Sequence, residues 1–256
     1  MIDFENKLEM LISKLKDLSD SEKKCLQDLS FPFIPNFDED FNSSKNRVLL
    51  VGQETSGWQG KLNKFLEPEL DVKSIIQKSK NRHIELYTGS TGQSSFLQFM
   101  KQIKMNNNNE YVQWLNFYLF DYKKKSFNGF SAKNSYKTVY DELKKMSIKN
   151  LTEQILKLKP KVIFFVGQYH NNFPTLEEFL NLSSNEKVIL KKPIDKLTIN
   201  IWNNEILVFR TPHPAHFASV SQEARKVALS YLRLFNESED IVEFKDKLFN
   251  LKEYNE

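Results

Sequence analysis

The sequence predicts an α/β protein with a short, mainly four-stranded parallel sheet. Four apolar runs alternate with stretches of helical periodicity, the pattern of strands joined by helices. The first run, Val48 to Val51, is unbroken, as expected for a strand that is covered on both faces. Polar, turn-forming residues follow it at once, where open α/β sheets collect their ligands. We therefore expect a site at the carboxyl ends of the strands.

An amphipathic helix opens the chain. Phe4, Leu8, Leu11 and Leu15 recur at helical spacing with charged residues between them. We expect one domain over residues 1–256, with an N-terminal helical extension over about residues 1–30.

The remaining elements follow in order. Three more core strands are predicted, at Tyr111 to Phe120, Lys161 to Gly167 and Glu205 to Arg210. An additional β-excursion is expected around Pro193. Helices are predicted within 58–80, after a cap at Ser94 or Ser95, over 151–158, and over 221–235 and 241–251.

Composition excludes several classes of protein. The chain has 256 residues, 40% of them hydrophobic, and a formal net charge of +4, which is compatible with a polyanionic partner but does not establish one. The single cysteine, Cys25, excludes an internal disulfide and a four-cysteine cluster, and we expect it to be buried. We expect no cofactor and no metal.

The sequence shows neither a signal-peptide pattern nor an apolar segment near the roughly 18 residues that span a bilayer. We therefore expect a soluble, cytoplasmic protein without a membrane partner.

The turn after the first strand carries the first candidate residues. Gly52 is followed by Gln53, Glu54, Thr55 and Ser56, which supply an amide, a carboxylate and two hydroxyls. An ordinary strand-to-helix connection with a cap is the alternative interpretation of this stretch alone.

Two more candidates are Asn116, within the second predicted strand, and His213, after the last one. Asn116 interrupts an aromatic run, so its amide is either a structural bridge or a ligand contact. His213 lies between two prolines that restrict its backbone, and it is either a candidate base contact or a turn residue bonded to backbone.

These motifs, in this order, resemble those of the uracil-DNA glycosylase superfamily, whose first motif resembles GQDPYH and whose second resembles HPSPLS. The counterparts here are residues 52–56, Asn116 in WLNF, and residues 213–217, HPAHF. The resemblance extends over roughly Arg47 to Leu234 and implies a three-layer α/β/α sandwich. It also implies a monomeric enzyme that acts on DNA.

The resemblance implies a role for each residue. Glu54 would stabilise the cationic sugar and position or deprotonate water, and His213 would donate to the pyrimidine O2 of the departing base. Gln53, Asn116, Ser56 and Trp58 would contact the base, with Phe65 or Tyr87 as alternatives to Trp58 for stacking. Phe217 would be the wedge that enters the duplex during base flipping.

The departures from the family pattern concern the substrate. Glu54 replaces the family's aspartate, while Ser56 and Gly57 stand where uracil-specific members carry a bulky tyrosine that excludes groups at C5. We therefore expect a pyrimidine with a C5 substituent, such as a modified cytosine of viral DNA, and a role in antiviral defence rather than in repair of uracil.

Two alternatives stay open. The chain could keep the fold as a catalytically inactive nucleic-acid-binding protein, because fold does not determine activity. It could instead hydrolyse free nucleosides or nucleotides, which would make a wedge at Phe217 unnecessary.

Overall fold

The computed structural model describes residues 4–54, 57–89, 94–123, 127, 137–167, 172–190 and 194–253, with side chains to residue 248. The chain forms two compact units. The first comprises Met1–Asn36, Gln53–Gly89 and Asn116–Gln154, and the second Phe37–Gly52, Ser90–Leu115 and Ile155–Glu256. The expectation of one domain stays a prediction.

A six-stranded mixed sheet belongs to the second unit, except that Asn116 at its margin belongs to the first. Its strands are β1 (Val48–Gly52), β2 (Val112–Asn116), β3 (Val162–Val166), β4 (Asn185–Lys187), β5 (Thr198–Trp202) and β6 (Ile206–Thr211). Their order is β2-β1-β3-β6-β5-β4. β1, β3 and β6 run parallel, with Val48 opposite Val162 and Val162 opposite Leu207.

The α/β class is confirmed, but the sheet is larger than the four strands expected, and it is mixed. β5 pairs antiparallel with β6, and β4 pairs antiparallel with β5. Asn203 and Asn204 adopt left-handed backbone angles, φ 53 and 58°, which let the chain reverse tightly between β5 and β6. β4 and β5 therefore extend the sheet beyond β6, while residues 191–193, which include the Pro193 of the expected excursion, lie outside the described residues.

Burial explains why the central strands form. All five residues of β1, β2 and β3 are buried, and because successive side chains point to opposite faces, both faces are covered. Phe164 and Phe209 stack between neighbouring strands with ring centroids 4.6 Å apart.

The helices of the second unit support this sheet. They are α3 (Glu39–Ser43), α5 (Ser95–Asn106), α7 (Phe173–Leu180), α8 (Ser219–Asn236) and α9 (Ile241–Glu253). Ser94 caps α5 by accepting a hydrogen bond from the Leu97 N–H, which confirms one of the two predicted caps.

Helices predominate among the described residues of the first unit. They are α1 (Phe4–Lys16), α2 (Asp20–Lys23), α4 (Val72–Thr88) and α6 (Lys137–Leu158), whose last four residues belong to the second unit. Two 3-10 segments, Lys24–Asp28 and Leu62–Leu66, join them. Phe4, Leu8, Leu11 and Leu15 of α1 are buried, as the periodicity predicts.

β2 is shorter than predicted. The apolar run was expected to continue as a strand to Phe120, but the strand ends at Asn116. Beyond it, the Tyr118 N–H donates to the Gln53 carbonyl at 2.8 Å, and the Leu119 carbonyl accepts from the Phe33 N–H at 2.7 Å. The run continues as buried irregular chain because these backbone groups bond to other segments.

No helix among the described residues has the length and apolar character needed to span a membrane. Cys25 is fully buried, as expected, and burial raises the pKa of its thiol to about 12.

Candidate functional site

The parallel strands bring three strand ends to one edge of the sheet in the second unit. Phe165 lies opposite Val51, and Val166 lies opposite Thr211. The Gly167 N–H closes this edge with a hydrogen bond of 3.2 Å to the Thr211 carbonyl. The chain continues from this edge into the turn of His213. Gln168, Tyr169 and His170, which follow Gly167 in the sequence, lie outside the described residues.

In the first unit, the turns that carry Gln53 and Asn116 are joined by the hydrogen bond between Tyr118 and Gln53. Asn116 is the last residue of β2 and is 4% exposed. The structure therefore brings the Gln53 backbone next to the chain that follows Asn116. Whether the Asn116 amide contacts a ligand stays a prediction.

Glu54 lies in a setting that favours its neutral form. Its side chain is half-buried, and its Oε2 atom has no hydrogen-bond partner among the residues that the structure describes. Burial, with a smaller contribution from the nearby Asp121 carboxylate, raises the pKa of Glu54 to about 8. The Phe127 backbone and the Gln53 side chain act in the opposite direction. Such a perturbed carboxyl is typical of a functional site.

Asp121 is a residue that the sequence analysis missed. Its Oδ2 accepts hydrogen bonds from the Gly57 N–H at 2.7 Å and from the Trp58 N–H at 3.1 Å. It is 1% exposed. The available signal was its position as the first charged residue after the long apolar run, five residues beyond Asn116.

Trp58 is packed into the interior of the first unit. It is 4% exposed, its indole N–H donates to the Ser79 hydroxyl at 2.9 Å, and its ring meets Phe33 edge-on at 4.9 Å. This placement favours a structural role, and its predicted contact with the base stays a prediction.

The other residues predicted to contact the base differ in how they are placed. Phe65 is fully buried and stacks on Phe31 at 5.2 Å. Tyr87 is half-buried, and its ring stacks beside His83 at 6.4 Å. Ser56 lies outside the described residues.

His213 is held in a defined orientation within the second unit. Its Nδ1 accepts a hydrogen bond from the Ala215 N–H at 3.2 Å, and its ring stacks beside Phe96 at 6.4 Å. Burial, together with the charges of His216 and Arg225, lowers the pKa of His213. Because Nδ1 is an acceptor, the neutral ring carries its proton on Nε2 and can donate from that atom.

α8 holds the turn that contains His213. The Arg225 guanidinium donates to the His213 carbonyl at 3.3 Å and to the His216 carbonyl at 3.1 Å. Gln222 donates to the Phe217 carbonyl at 2.7 Å. The Phe217 side chain is 69% exposed, although its backbone is fixed. Arg225 and Gln222 were also missed, because no motif marks a helix residue that bonds to loop carbonyls.

A cavity of about 750 Å³ in the second unit does not involve these residues. It opens at the opposite edge of the sheet, beside Arg47, Lys161 and Glu205, which precede β1, β3 and β6. Over the described ranges, no group of three or more His, Cys, Asp or Glu side chains is positioned to hold a metal ion.

No family model matches the chain. The search of curated proteins also finds no match.

Proposed function

We propose that the protein is a monofunctional DNA N-glycosylase with the fold of the uracil-DNA glycosylase superfamily, a three-layer α/β/α sandwich. It would hydrolyse the N-glycosidic bond of a flipped-out pyrimidine and leave an abasic site. The observation that carries the proposal is Glu54, a half-buried carboxyl that directly follows the first-motif glutamine and has one oxygen without a partner among the described residues.

The chemistry requires two kinds of group. Departure of the base leaves positive charge on the sugar and negative charge on the base. An ionised Glu54 would stabilise the sugar cation and orient the attacking water. A neutral His213 with its proton on Nε2 would donate to the pyrimidine O2 as negative charge develops there. The hydrogen bond from Ala215 to Nδ1 supports this tautomer.

The remaining roles belong to binding. Gln53 and Asn116 would read the polar edge of the base, and Ser56 would complete its pocket. A contact of Trp58 with the base would require its ring, now 4% exposed, to become accessible. Phe217 would enter the base stack when the nucleotide is extruded, and its 69% exposure supports that role. DNA is then the partner of a monomeric cytoplasmic enzyme.

We propose a pyrimidine enlarged at C5, such as a modified cytosine of viral DNA, as the substrate, with uracil as the second candidate. Ser56 and Gly57 offer no bulky side chain where uracil-specific members carry a tyrosine, and Gly57 adopts φ 77°, a left-handed conformation that suits glycine. The biological role would be defence against viruses that modify their DNA.

The test is a comparison of DNA substrates. The protein is incubated with DNAs that contain uracil, hydroxymethylcytosine or glucosylated hydroxymethylcytosine, and alkali-labile abasic sites are counted. We expect abasic sites in DNA with C5-enlarged bases. Efficient release of uracil, with the enlarged bases left intact, would contradict the proposed substrate.

A second candidate function, binding of nucleic acid without catalysis, is favoured by one observation. With a pKa of about 8, only about a tenth of Glu54 is ionised at pH 7 in the free protein. This alternative predicts affinity for DNA and no abasic product from any substrate at any pH between 6 and about 9.

A further inference from the structure

Asp121 is a buried charged residue whose backbone and side chain are both held by hydrogen bonds. Its backbone is paired with Ser30: its N–H donates to the Ser30 hydroxyl at 2.9 Å, and its carbonyl accepts from the Ser30 N–H at 3.1 Å. The adjoining residues Leu29 and Tyr122 form a β-bridge. The carboxylate therefore projects from rigid chain.

The Asp121 carboxylate accepts hydrogen bonds from the chain that follows Glu54. Its Oδ2 accepts from the Gly57 and Trp58 N–H groups, three and four residues beyond Glu54. Two hydrogen bonds to one charged oxygen are stronger than the corresponding neutral pair. The side chain of Trp58 is itself fixed through Ser79, so the far end of the turn has two independent anchors.

We propose that Asp121 is a positioning residue of the proposed glycosylase site, which orients Glu54 by holding the turn through the Gly57 and Trp58 amides. The inference rests on the proposed function for its effect on catalysis. Its structural content, that the Asp121 carboxylate holds the Gly57 and Trp58 amides, does not depend on any substrate.

Asp121 also acts on Glu54 through its charge. Among the residues that the structure describes, the Asp121 carboxylate, the Gln53 side chain and the Phe127 backbone act on the Glu54 carboxyl. The negative charge of Asp121 adds to burial in raising the pKa of Glu54, whereas the other two lower it. Two substitutions separate the hydrogen bonds from the charge, because asparagine keeps an acceptor oxygen and alanine does not.

The experiment compares Asp121→Asn and Asp121→Ala with the wild-type protein by NMR and by base release. In Asp121→Ala, we expect hydrogen exchange of the Gly57 and Trp58 amides to become about tenfold faster, because hydrogen bonds to a charged group are lost. We expect kcat for base release to fall about 100-fold with little change in KM, as for misplacement of a catalytic group.

Asp121→Asn should behave differently. The two amides should stay protected, and the Glu54 carboxyl, followed by its carbon-13 shift and assigned with Glu54→Gln, should titrate at a lower pH than in the wild type. The pH dependence of kcat/KM should move in the same direction, and kcat measured on the high-pH plateau should be largely restored relative to Asp121→Ala.

The control is Asp71→Ala. Asp71 is also a carboxylate of the first unit that accepts a backbone N–H, from Ser74 at 3.1 Å, but it caps α4. This variant should leave the exchange of Gly57 and Trp58, the titration of Glu54 and kcat unchanged.

Unchanged amide exchange in Asp121→Ala, or unchanged Glu54 titration in Asp121→Asn, would overturn the inference. Both measurements are made without DNA. A wild-type protein that releases no base would therefore count against the proposed function alone, while the NMR data decide the role of Asp121. If Asp121→Ala does not fold, exchange of the two amides is measured in Asp121→Ser, whose shorter side chain also loses the hydrogen bonds to Gly57 and Trp58.

Discussion

At the scale of single residues, Glu54 combines a catalytic requirement with an unfavourable environment. The proposed reaction needs an ionised carboxylate, yet burial raises its pKa to about 8. Keeping Glu54 ionised in this buried setting lowers the stability of the fold, but the ionised form is the one that can stabilise a developing cation. Two consequences of this arrangement can be measured.

The first is the pH dependence of catalysis. Because kcat/KM reports the free enzyme, it should rise with pH, reach half of its maximum near pH 8 and level off about one pH unit higher, as Glu54 becomes ionised. His213, whose pKa is lowered, stays neutral over this range. The profile is measured with the best DNA substrate in buffers of constant ionic strength. A rate that falls as pH increases through 8 would instead assign Glu54 as a proton donor.

The second is the pH dependence of stability. The folded-state pKa of Glu54, about 8, lies above its ordinary value of 4.5. The contribution of Glu54 to the free energy of unfolding is therefore complete below pH 4.5 and is lost as pH rises to about 8. Glu54→Gln removes this loss. The variant should be more stable than the wild type at pH 8, by on the order of 2 kcal/mol after allowance for partial exposure, and equal at pH 4.5.

Urea unfolding at the two pH values measures this difference. Glu142→Gln is the control, because Glu142 is exposed and Lys14 lowers its pKa, so this substitution should bring no gain at pH 8. Equal stability of Glu54→Gln and the wild type at pH 8 would contradict the account of the Glu54 environment.

At the scale of elements, α8 organises the second motif. Arg225 binds two carbonyls of the His213 turn, and Gln222 binds the carbonyl of Phe217. Side chains of α8, in addition to the two prolines, therefore fix the conformation of the His213 turn. Planar guanidinium donors suit this bridging because they lie in fixed directions.

Arg225→Gln tests this arrangement. The substitution removes a positive charge near His213 and at least one of the two hydrogen bonds. We expect the pKa of His213 to rise, because the charge of Arg225 contributes to lowering it, and the unfolding free energy to fall by about 1 kcal/mol. NMR titration of the histidine ring and urea unfolding measure the two effects. An unchanged histidine titration would show that Arg225 has no electrostatic influence on the ring.

Several elements could be predicted from the sequence, and the reasons for failure are specific. Unbroken apolar runs predicted the first and last residues of β1, β3 and β6 with an error of no more than one residue, because buried parallel strands need such runs. β2 was overextended, since buried irregular chain after Asn116 has the same composition as a strand. The antiparallel pairing of β5 with β6 was not predicted, because it depends on a tight turn at Asn203 and Asn204 whose left-handed backbone angles the sequence does not reveal.

The candidate site shows the same division. Gln53, Glu54 and His213 could be singled out because each follows an apolar run, and Asn116 because its amide interrupts one. Asp121 and Arg225 could not, because their roles consist of hydrogen bonds to backbone groups that are distant in sequence. The perturbed titration of Glu54 depends on burial, which no local pattern of residues specifies.

At the scale of the whole molecule, the proposed function depends on recognition of a base within DNA. Phe217→Ala tests that step. We expect roughly tenfold or greater loss of base release from duplex DNA, because stacking of an aromatic ring on a base is lost, and little change with a free nucleoside. Met105→Ala is the control, since Met105 is a similarly exposed apolar residue of α5 in the same unit. Equal losses on duplex and nucleoside would contradict the wedge role.

The most direct measurement is single-turnover release of base from duplex DNA by the wild type, Glu54→Gln, His213→Ala and His216→Ala. The account predicts a loss of about 100-fold or more in each of the first two variants, because each lacks a group that stabilises charge in the transition state. His216→Ala should keep most of the activity. Full activity in both Glu54→Gln and His213→Ala would contradict the assignment of the catalytic groups.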